Sequence, residues 1–286
     1  MITAFRYFNK PLKTLSRKQE AKFFAGIRNS NRTFKTTDSG RMLKLDVIIA
    51  RLSHDRGWRH PSILDVAVSS GATTCDLQEV FRSSGIDPSI VATDIGIEAA
   101  ILDVAPGVRV LIDASGTPLQ YECFGVAIRA WNRRLDYIFG YWILTKVMQS
   151  IPIRLQTSHR KNVKLISRRI NSLKMDFVED DLAVPNPAFE KRFDIVRAAN
   201  ILNRGYFPEP KLRSMISNLK SYALGTGALI VINRTHLDGS NHGTVFSLSS
   251  DDTLKILERI GDGSEVEGLA LDSSGVKAVP AKPLCH

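Results

Sequence analysis

The sequence predicts an α/β protein, doubly wound around a mostly parallel sheet of seven strands with helices on both faces. Three observations carry that expectation. Short continuous apolar runs (ILDVAV, SIVATDI, FDIVRAA and ALIVINRT) are the mark of strands buried on both faces. Segments of helical periodicity separate them, and the first strand, helix and strand fit within about 35 residues, the length of a βαβ unit. Hydrophobic residues make up 43% and charged residues 24% of the 286 residues, which suits one large globular domain or a domain with an appendage.

Residues 1–60 are expected to be a helical segment. SRKQEAKFFAGIRNS reads as one helix and SGRMLKLDVIIARLSHD as the next. Leu43, Leu45, Ile48, Ile49 and Leu52 stand at helical spacing, with Asp38 and Ser39 as N-cap candidates. The α/β core is expected over 61–123 and 175–286. After ILDVAV, TTCDLQEVFRSSG is a helix ended by Gly85, SIVATDI is a strand, and Gly96–Leu102 is a further helix that Asp94 could cap. VRVLIDASGTPLQYE (108–122) reads as a hairpin turning at Ala114–Gly116. Residues 124–174 are expected to be a helical insert opening with FGVAIRAWNRRLDYIFGYWILTKVMQS, after which VKLISRR and MDFVEDDL supply one or two strands. FDIVRAA (193–199) is a buried strand, PEPKLRSMISNLKSYAL a helix with prolines at its start, and ALIVINRT the next strand. TVFSLS, DDTLKILERIG and EVEGLAL then read strand, helix, strand.

Cys75, Cys123 and Cys285 are widely spaced, with no CxxC and no nearby histidine pattern. That argues against a disulfide scaffold, a structural zinc site or an iron–sulfur cluster, and no metal is expected. MITAFRYFNK lacks the apolar core of a secretory signal, and no run reaches the roughly 18 apolar residues of a membrane span. A cytoplasmic protein is therefore expected. The net charge of +10 is unevenly placed. Residues 1–60 hold 14 Lys/Arg against 4 Asp/Glu, and residues 61–123 hold 2 against 9. Residues 124–175 hold 11 against 1, and residues 176–286 hold 12 against 15. Basic elements flanking an acidic remainder suit an anionic partner, and equally suit solvated helix faces.

The turn after the first strand, VSSGATT, narrows the function. A dinucleotide fingerprint GxGxxG would fall on Ala67, Ser69 and Ala72 and finds no glycine. An acid followed by GxGxG falls on Asp65, Ala67, Ser69 and Gly71, keeping the acid, the last glycine and two small residues. Small residues let a backbone approach a cofactor without obstruction by Cβ, although a plain strand-to-helix turn would use the same ones. Asp94, 23 residues after Gly71, stands near the spacing at which an acid meets ribose hydroxyls. Asp180 and Asp181 follow another strand, where an exocyclic adenine amine could donate. FDIVRAAN puts Asp194 inside a strand and Asn200 just past its carboxyl end. Ile95 and Leu182, the residues next after Asp94 and Asp181, are counted with the cofactor residues.

This order of loop, ribose acid, adenine acid and FDIVRAAN strand resembles the class I S-adenosylmethionine-dependent methyltransferases, over about residues 60–123 and 175–272. VSSGATT, with its serine and single late glycine, and RAANILNRGYF, with its Arg/Asn pair and aromatic, are similar to the chemotaxis-receptor methyltransferases. The chain between Gly107 and Lys174 departs from that family's middle region. The resemblance therefore implies a Rossmann-like fold and S-adenosylmethionine as cofactor, and not the receptor glutamate as substrate. It also implies that TVFSLS and EVEGLAL are the antiparallel pair ending the sheet.

Methyl transfer from a sulfonium needs alignment, desolvation and, for an O or N nucleophile, a proton acceptor. RAANILNRGYF carries neither the proline pair of an (N/D)PP(Y/F) loop nor a Pro-Cys. Both absences disfavour base methylation of nucleic acids and leave ribose methylation open. His236 and His242 in NRTHLDGSNHGTVF are the candidate general bases, His242 being the one expected to act, with solvated loop histidines as the plain alternative. Arg197 and Arg204 could hold an anionic substrate or salt-bridge carboxylates, and Tyr206 could cover the site or be core. Trp131 and Tyr141 in the insert are candidate substrate contacts. The insert's aromatics and cations together suit an amphiphilic or acidic small molecule or lipid, an anionic membrane surface, RNA, or a helical subdomain with a basic outside. Three readings stand: an O/N-methyltransferase of a small amphiphilic or acidic molecule, an RNA ribose methyltransferase, and a non-catalytic interaction module with a degenerate cofactor loop.

Overall fold

The computed structural model describes residues 1–28, 35, 40–132, 134–138, 141–150, 160–168, 170, 175–236 and 238–272. The elements begin with α1 (Ala4–Asn9), α2 (Arg17–Phe24), α3 (Leu43–Asp55), β1 (Ser62–Val66), α4 (Ala72–Ser83) and β2 (Ser89–Asp94). Next come β3 (Glu98–Ala105), β4 (Val108–Asp113), β5 (Pro118–Cys123), β6 (Val126–Arg129), α5 (Arg134–Ile138), α6 (Tyr141–Gln149) and β7 (Arg160–Lys164). The chain then runs through β8 (Met175–Glu179), β9 (Ile195–Ala199), α7 (Glu209–Tyr222), β10 (Leu229–Thr235), β11 (Asn241–Leu248), β12 (Leu254–Ile260) and α8 (Glu267–Leu271). These elements divide into two compact units. Among the described residues no helix is long and apolar enough to cross a membrane.

One unit comprises Arg41–Ala67, Leu77–Thr93 and Met175–His286 and holds the expected seven-stranded sheet, in the order β12-β11-β10-β9-β1-β2-β8. β1 pairs in parallel with β2 on one side and β9 on the other, and β9 with β10. β10, β11 and β12 run antiparallel. Period-two alternation sorts the strand residues into two cores. Ile63, Ile195, Leu229 and Val231 pack with Leu45 and Ile49 of α3 and Leu77 and Phe81 of α4. Leu64, Val66, Val196, Ala198 and Ile230 pack with Leu212, Met215 and Leu219 of α7 and Leu269 of α8. Burial on both faces is why these strands read as unbroken apolar runs.

The other unit comprises Met1–Gly40, Val68–Asp76 and Asp94–Lys174. Its sheet has five strands in the order β6-β5-β4-β3-β7, all antiparallel. Ala99, Ile101, Leu111 and Leu119 face α1 and α2 through Tyr7, Phe23 and Phe24. Ala100, Leu102, Val110, Ile112 and Tyr121 form the opposite core with Met148 of α6. Glu20 of α2 is buried there, accepting from the Tyr7 hydroxyl at 2.7 Å and the Ser167 hydroxyl at 2.9 Å. Burial, with the Glu20 carboxylate next in importance, pushes the Tyr7 phenol well above its usual pKa.

Four expectations are corrected. Gly96–Leu102 is not a helix: Glu98–Ala105 is β3, paired with β4 and β7. The hairpin of 108–122 is present as β4 and β5, but in the five-stranded sheet and not in the α/β core, so the boundary at 123 falls inside a sheet. The segment after it is not wholly helical, since it contributes β6 and β7. The end of the sheet is exchanged: DDTLKILERIG supplies the strand β12 and EVEGLAL the helix α8. LKILERI buries alternate residues against β11, whereas Val266, Leu269 and Ala270 are buried at helical spacing. The antiparallel partner of TVFSLS is therefore LKILERI. The N-cap candidates Asp38 and Ser39 lie outside the described residues, and α3 starts after Met42 without a side-chain cap.

Candidate functional site

The chain leaves β1 through a loop whose backbone is left-handed at every second residue. Ala67 has φ 57°, Ser69 φ 60° and Gly71 φ 74°. These are the three positions at which a GxGxG pattern places glycine. An L-residue held there is strained by about 1–2 kcal/mol, so Ala67 and Ser69 adopt glycine's conformation at a cost that glycine would not meet. The loop is anchored within its unit: the Ser167 N–H donates to the Ser70 carbonyl at 2.6 Å, and the Gly71 N–H to the Val68 carbonyl at 2.9 Å.

Asp94, the candidate ribose acid, belongs to the same unit as Ser69 and Gly71, and both its oxygens are engaged. Oδ2 accepts from the Ser69 N–H at 2.8 Å. Oδ1 accepts from the Gly96 N–H at 3.2 Å and from the Lys35 ammonium at 2.9 Å. The ammonium also donates to the Ser69 carbonyl at 3.1 Å. Lys35 is fully buried and Asp94 nearly so. A cation of this chain therefore stands where the reading expects ribose hydroxyls. Ile95, next to Asp94, is exposed.

Asp65 belongs to the other unit and is committed differently. It lies opposite Arg197 in the β1–β9 register, on the sheet face covered by α3. Arg197 grips it with two bonds, Nε to Oδ1 at 2.9 Å and Nη2 to Oδ2 at 2.8 Å, and reaches Asp46 of α3 with Nη1 at 2.6 Å. All three side chains are buried. Burial alone would push the guanidinium down; Asp65 and Asp46 reverse this and hold it above its usual pKa. Arg197, expected among the substrate contacts, is thus fully buried and spends its donors inside the fold.

At the carboxyl ends of β9 and β10, in that same unit, several polar groups are buried without hydrogen-bond partners among the described residues. Asn200 (φ 63°) accepts from the Thr235 N–H through Oδ1 at 2.6 Å, and its Nδ2 is buried and unpaired. Both amide atoms of Asn233 are likewise buried and unpaired. Orphaned amides at the carboxyl edge of a parallel sheet are features a ligand would satisfy. Asp181 is half-buried and caps the Ala183 N–H at 3.0 Å, while Leu182 is core. Burial pushes the Asp180 carboxyl up against the opposing bond from Asn186.

The remaining candidates are placed as follows. His242 accepts from the Asp262 N–H at Nδ1 (3.0 Å) and meets the Ser240 hydroxyl at Nε2 (3.2 Å), so both ring nitrogens are engaged. His236 is exposed and packs edge-on against it, with centroids 4.6 Å apart. Arg204 is exposed and donates to the Glu265 carbonyl, and Tyr206 is exposed. In the five-stranded unit, Trp131 donates to the Gly26 carbonyl at 3.0 Å. Trp131 and Tyr141 both lie beside Arg129, whose guanidinium is held by Asp136. Sequence reasoning missed Lys35 and Asp46. Asp46 carried a signal, being a charge set between Leu45 and Ile49 on the apolar face of α3; Lys35 carried none.

No protein-family model matches the sequence, and no curated protein does. Solved structures it resembles include the CurJ carbon methyltransferase, at 11% identity over 70% of this chain and 37% of that one, with a TM-score of 0.35. CalS10, an amino pentose methyltransferase from Micromonospora echinaspora solved with SAM bound, aligns at 10% identity over 72% and 63%, with a TM-score of 0.32. The [4+2]-cyclase SpnF aligns at 13% identity over 73% and 50%, with a TM-score of 0.33. The chain spans well under two thirds of the first of these structures. Likenesses this slight leave the functional reading to the residues themselves.

Proposed function

We propose that this chain binds S-adenosylmethionine along the loop that leaves β1 and transfers its methyl group to an O or N nucleophile of a small amphiphilic or acidic molecule. The observation that carries the reading is the left-handed backbone at Ala67, Ser69 and Gly71. A plain strand-to-helix turn has no need of three such residues in alternation, two of them strained. The residues fit the cofactor on one condition. Ser69 and Gly71 carry little side chain over the loop, and Asp94 is held by two amides in a fixed orientation; ribose hydroxyls reach it once Lys35 withdraws. When bound, the cofactor supplies the electrophilic methyl. The chain's own part is to orient the ribose through Asp94; within the other unit, Arg197 holds Asp65 rigid.

Calorimetric titration with S-adenosylhomocysteine tests the reading. Micromolar binding by the wild type, lost in Asp94→Ala, is expected. One observation favours a second reading, a non-catalytic module: the Lys35–Asp94 ion pair already satisfies the acid that a cofactor would use. Absence of binding to the wild type and to a Lys35 variant alike would give that module precedence.

A further inference from the structure

The two-residue turn joining β5 and β6 has an unusual composition. Cys123 and Val126 pair across it, and Phe124 (φ 45°) and Gly125 (φ 81°) form its tip. Two positive φ values in succession define a turn that asparagine and glycine fill by preference, and a bulky aromatic at the first position is an outlier. Phe124 is also 80% exposed, and its neighbour Val126 is 62% exposed. The ring is held in place: the Phe124 N–H donates to the Gly107 carbonyl at 2.8 Å, and a Cβ at Gly107 would lie 2.6 Å from the ring. An aromatic fixed in a disfavoured backbone conformation and aimed at solvent contributes nothing to this fold's core.

Its surroundings indicate a partner. The Arg6 side chain of α1 reaches the turn, lying 3.4 Å from where a Cβ on Gly125 would sit. Arg6 also lines an open groove of about 660 Å³ in the same unit, with Ile2, Phe5, Asn9, Lys10 and Lys22 among its other walls. Three cations line this groove and no carboxylate does. Arg6 and Lys22 make no ion pair among the described residues. An apolar tip beside an uncompensated cationic groove is complementary to a surface that is apolar beneath and anionic above.

We infer that the Phe124 turn and the α1–α2 groove form a docking surface for an anionic lipid membrane. Phe124 and Val126 enter the acyl boundary, and Arg6, Lys10 and Lys22 meet lipid phosphates. This holds whether or not the chain binds S-adenosylmethionine, and it concerns the hairpin tip and α1, not the helices α5 and α6.

Flotation of the full chain with phosphatidylcholine vesicles, with and without phosphatidylglycerol, tests it. Binding to the anionic vesicles alone is expected, weakening as salt rises. Phe124→Asn places in the turn the residue its backbone favours, so its melting temperature should equal or exceed the wild type's while vesicle binding falls about tenfold or more. Arg6→Gln combined with Lys22→Gln should weaken binding and flatten its salt dependence. Unchanged flotation of a folded Phe124→Asn protein overturns the proposal, as does equal binding to neutral vesicles. Single-stranded RNA that binds the wild type and displaces it from vesicles, with Phe124→Asn unaffected, would assign the cations to RNA and also overturn it.

Discussion

Replacing Lys35 with methionine removes the ammonium from Asp94 while keeping most of the apolar stem. In the free protein the loss is stabilising energy. Lys35 and Asp94 form a buried pair at 2.9 Å, and taking one partner from such a pair costs about 3–5 kcal/mol. Asp94 retains the Ser69 and Gly96 amides, so the lower end, about 3 kcal/mol, is expected for Lys35→Met. In binding the sign reverses. Ribose hydroxyls reaching Asp94 must displace an ammonium with two hydrogen bonds, of which one is to a charged oxygen. A charge-assisted bond is worth about 1.5–3 kcal/mol net, so the variant should bind S-adenosylhomocysteine about ten to a hundred times more tightly. Urea denaturation measures the first effect and calorimetry the second. Ligand at a hundred times Kd returns about 2.7 kcal/mol, so the saturated variant should recover most of its lost stability. A variant that is destabilised but binds no more tightly than wild type would refute the reasoning, because Lys35 would then not stand in the ligand's way.

Other outcomes follow from the same geometry. Ala67→Gly should be neutral or stabilising by up to about 1 kcal/mol in denaturant, since relief of the left-handed strain outweighs glycine's chain entropy; Ala67→Val should destabilise and abolish cofactor binding. Arg197→Met leaves Asp65 and Asp46 buried without their shared cation and should cost about 3–5 kcal/mol, or prevent folding, as judged by circular dichroism. Asp180 has a folded-state pKa raised by burial, so the folded form takes up its proton more readily than the unfolded chain. Its contribution to stability therefore grows as pH falls through the folded pKa. Asp180→Asn should stabilise the protein at neutral pH, and the difference should vanish in acid. A wild-type and variant pair with parallel stability profiles across that range would contradict this assignment.

The central strands β1, β2, β9 and β10 were legible because burial on both faces leaves a short, continuous apolar run bounded by turn residues. The same property hid β3. Ala99, Ala100, Ile101 and Leu102 are all buried, so EAAILDVA carries neither a two-residue nor a 3.6-residue period, and only its pairing with β4 and β7 decides. In LKILERI a helical count includes Leu257, which the structure leaves 43% exposed because β11 selects the alternate residues. The site divides along similar lines. Arg197 stands between Val196 and Ala198 in a strand buried on both faces, and Asp65 stands likewise in β1. Opposite charges in two such strands predict each other, since neither can be buried alone. Lys35 left no comparable trace: its partner is 59 residues away in the chain, and nothing in the residues around either one implies the other. A carboxylate's place at the end of a strand is thus written locally, in the apolar run that leads to it. What occupies that carboxylate is decided at long range. For Asp94 the occupant is a cation of the chain itself, so any ligand that uses Asp94 must first compete with Lys35, and its apparent affinity will report that competition as much as its own fit.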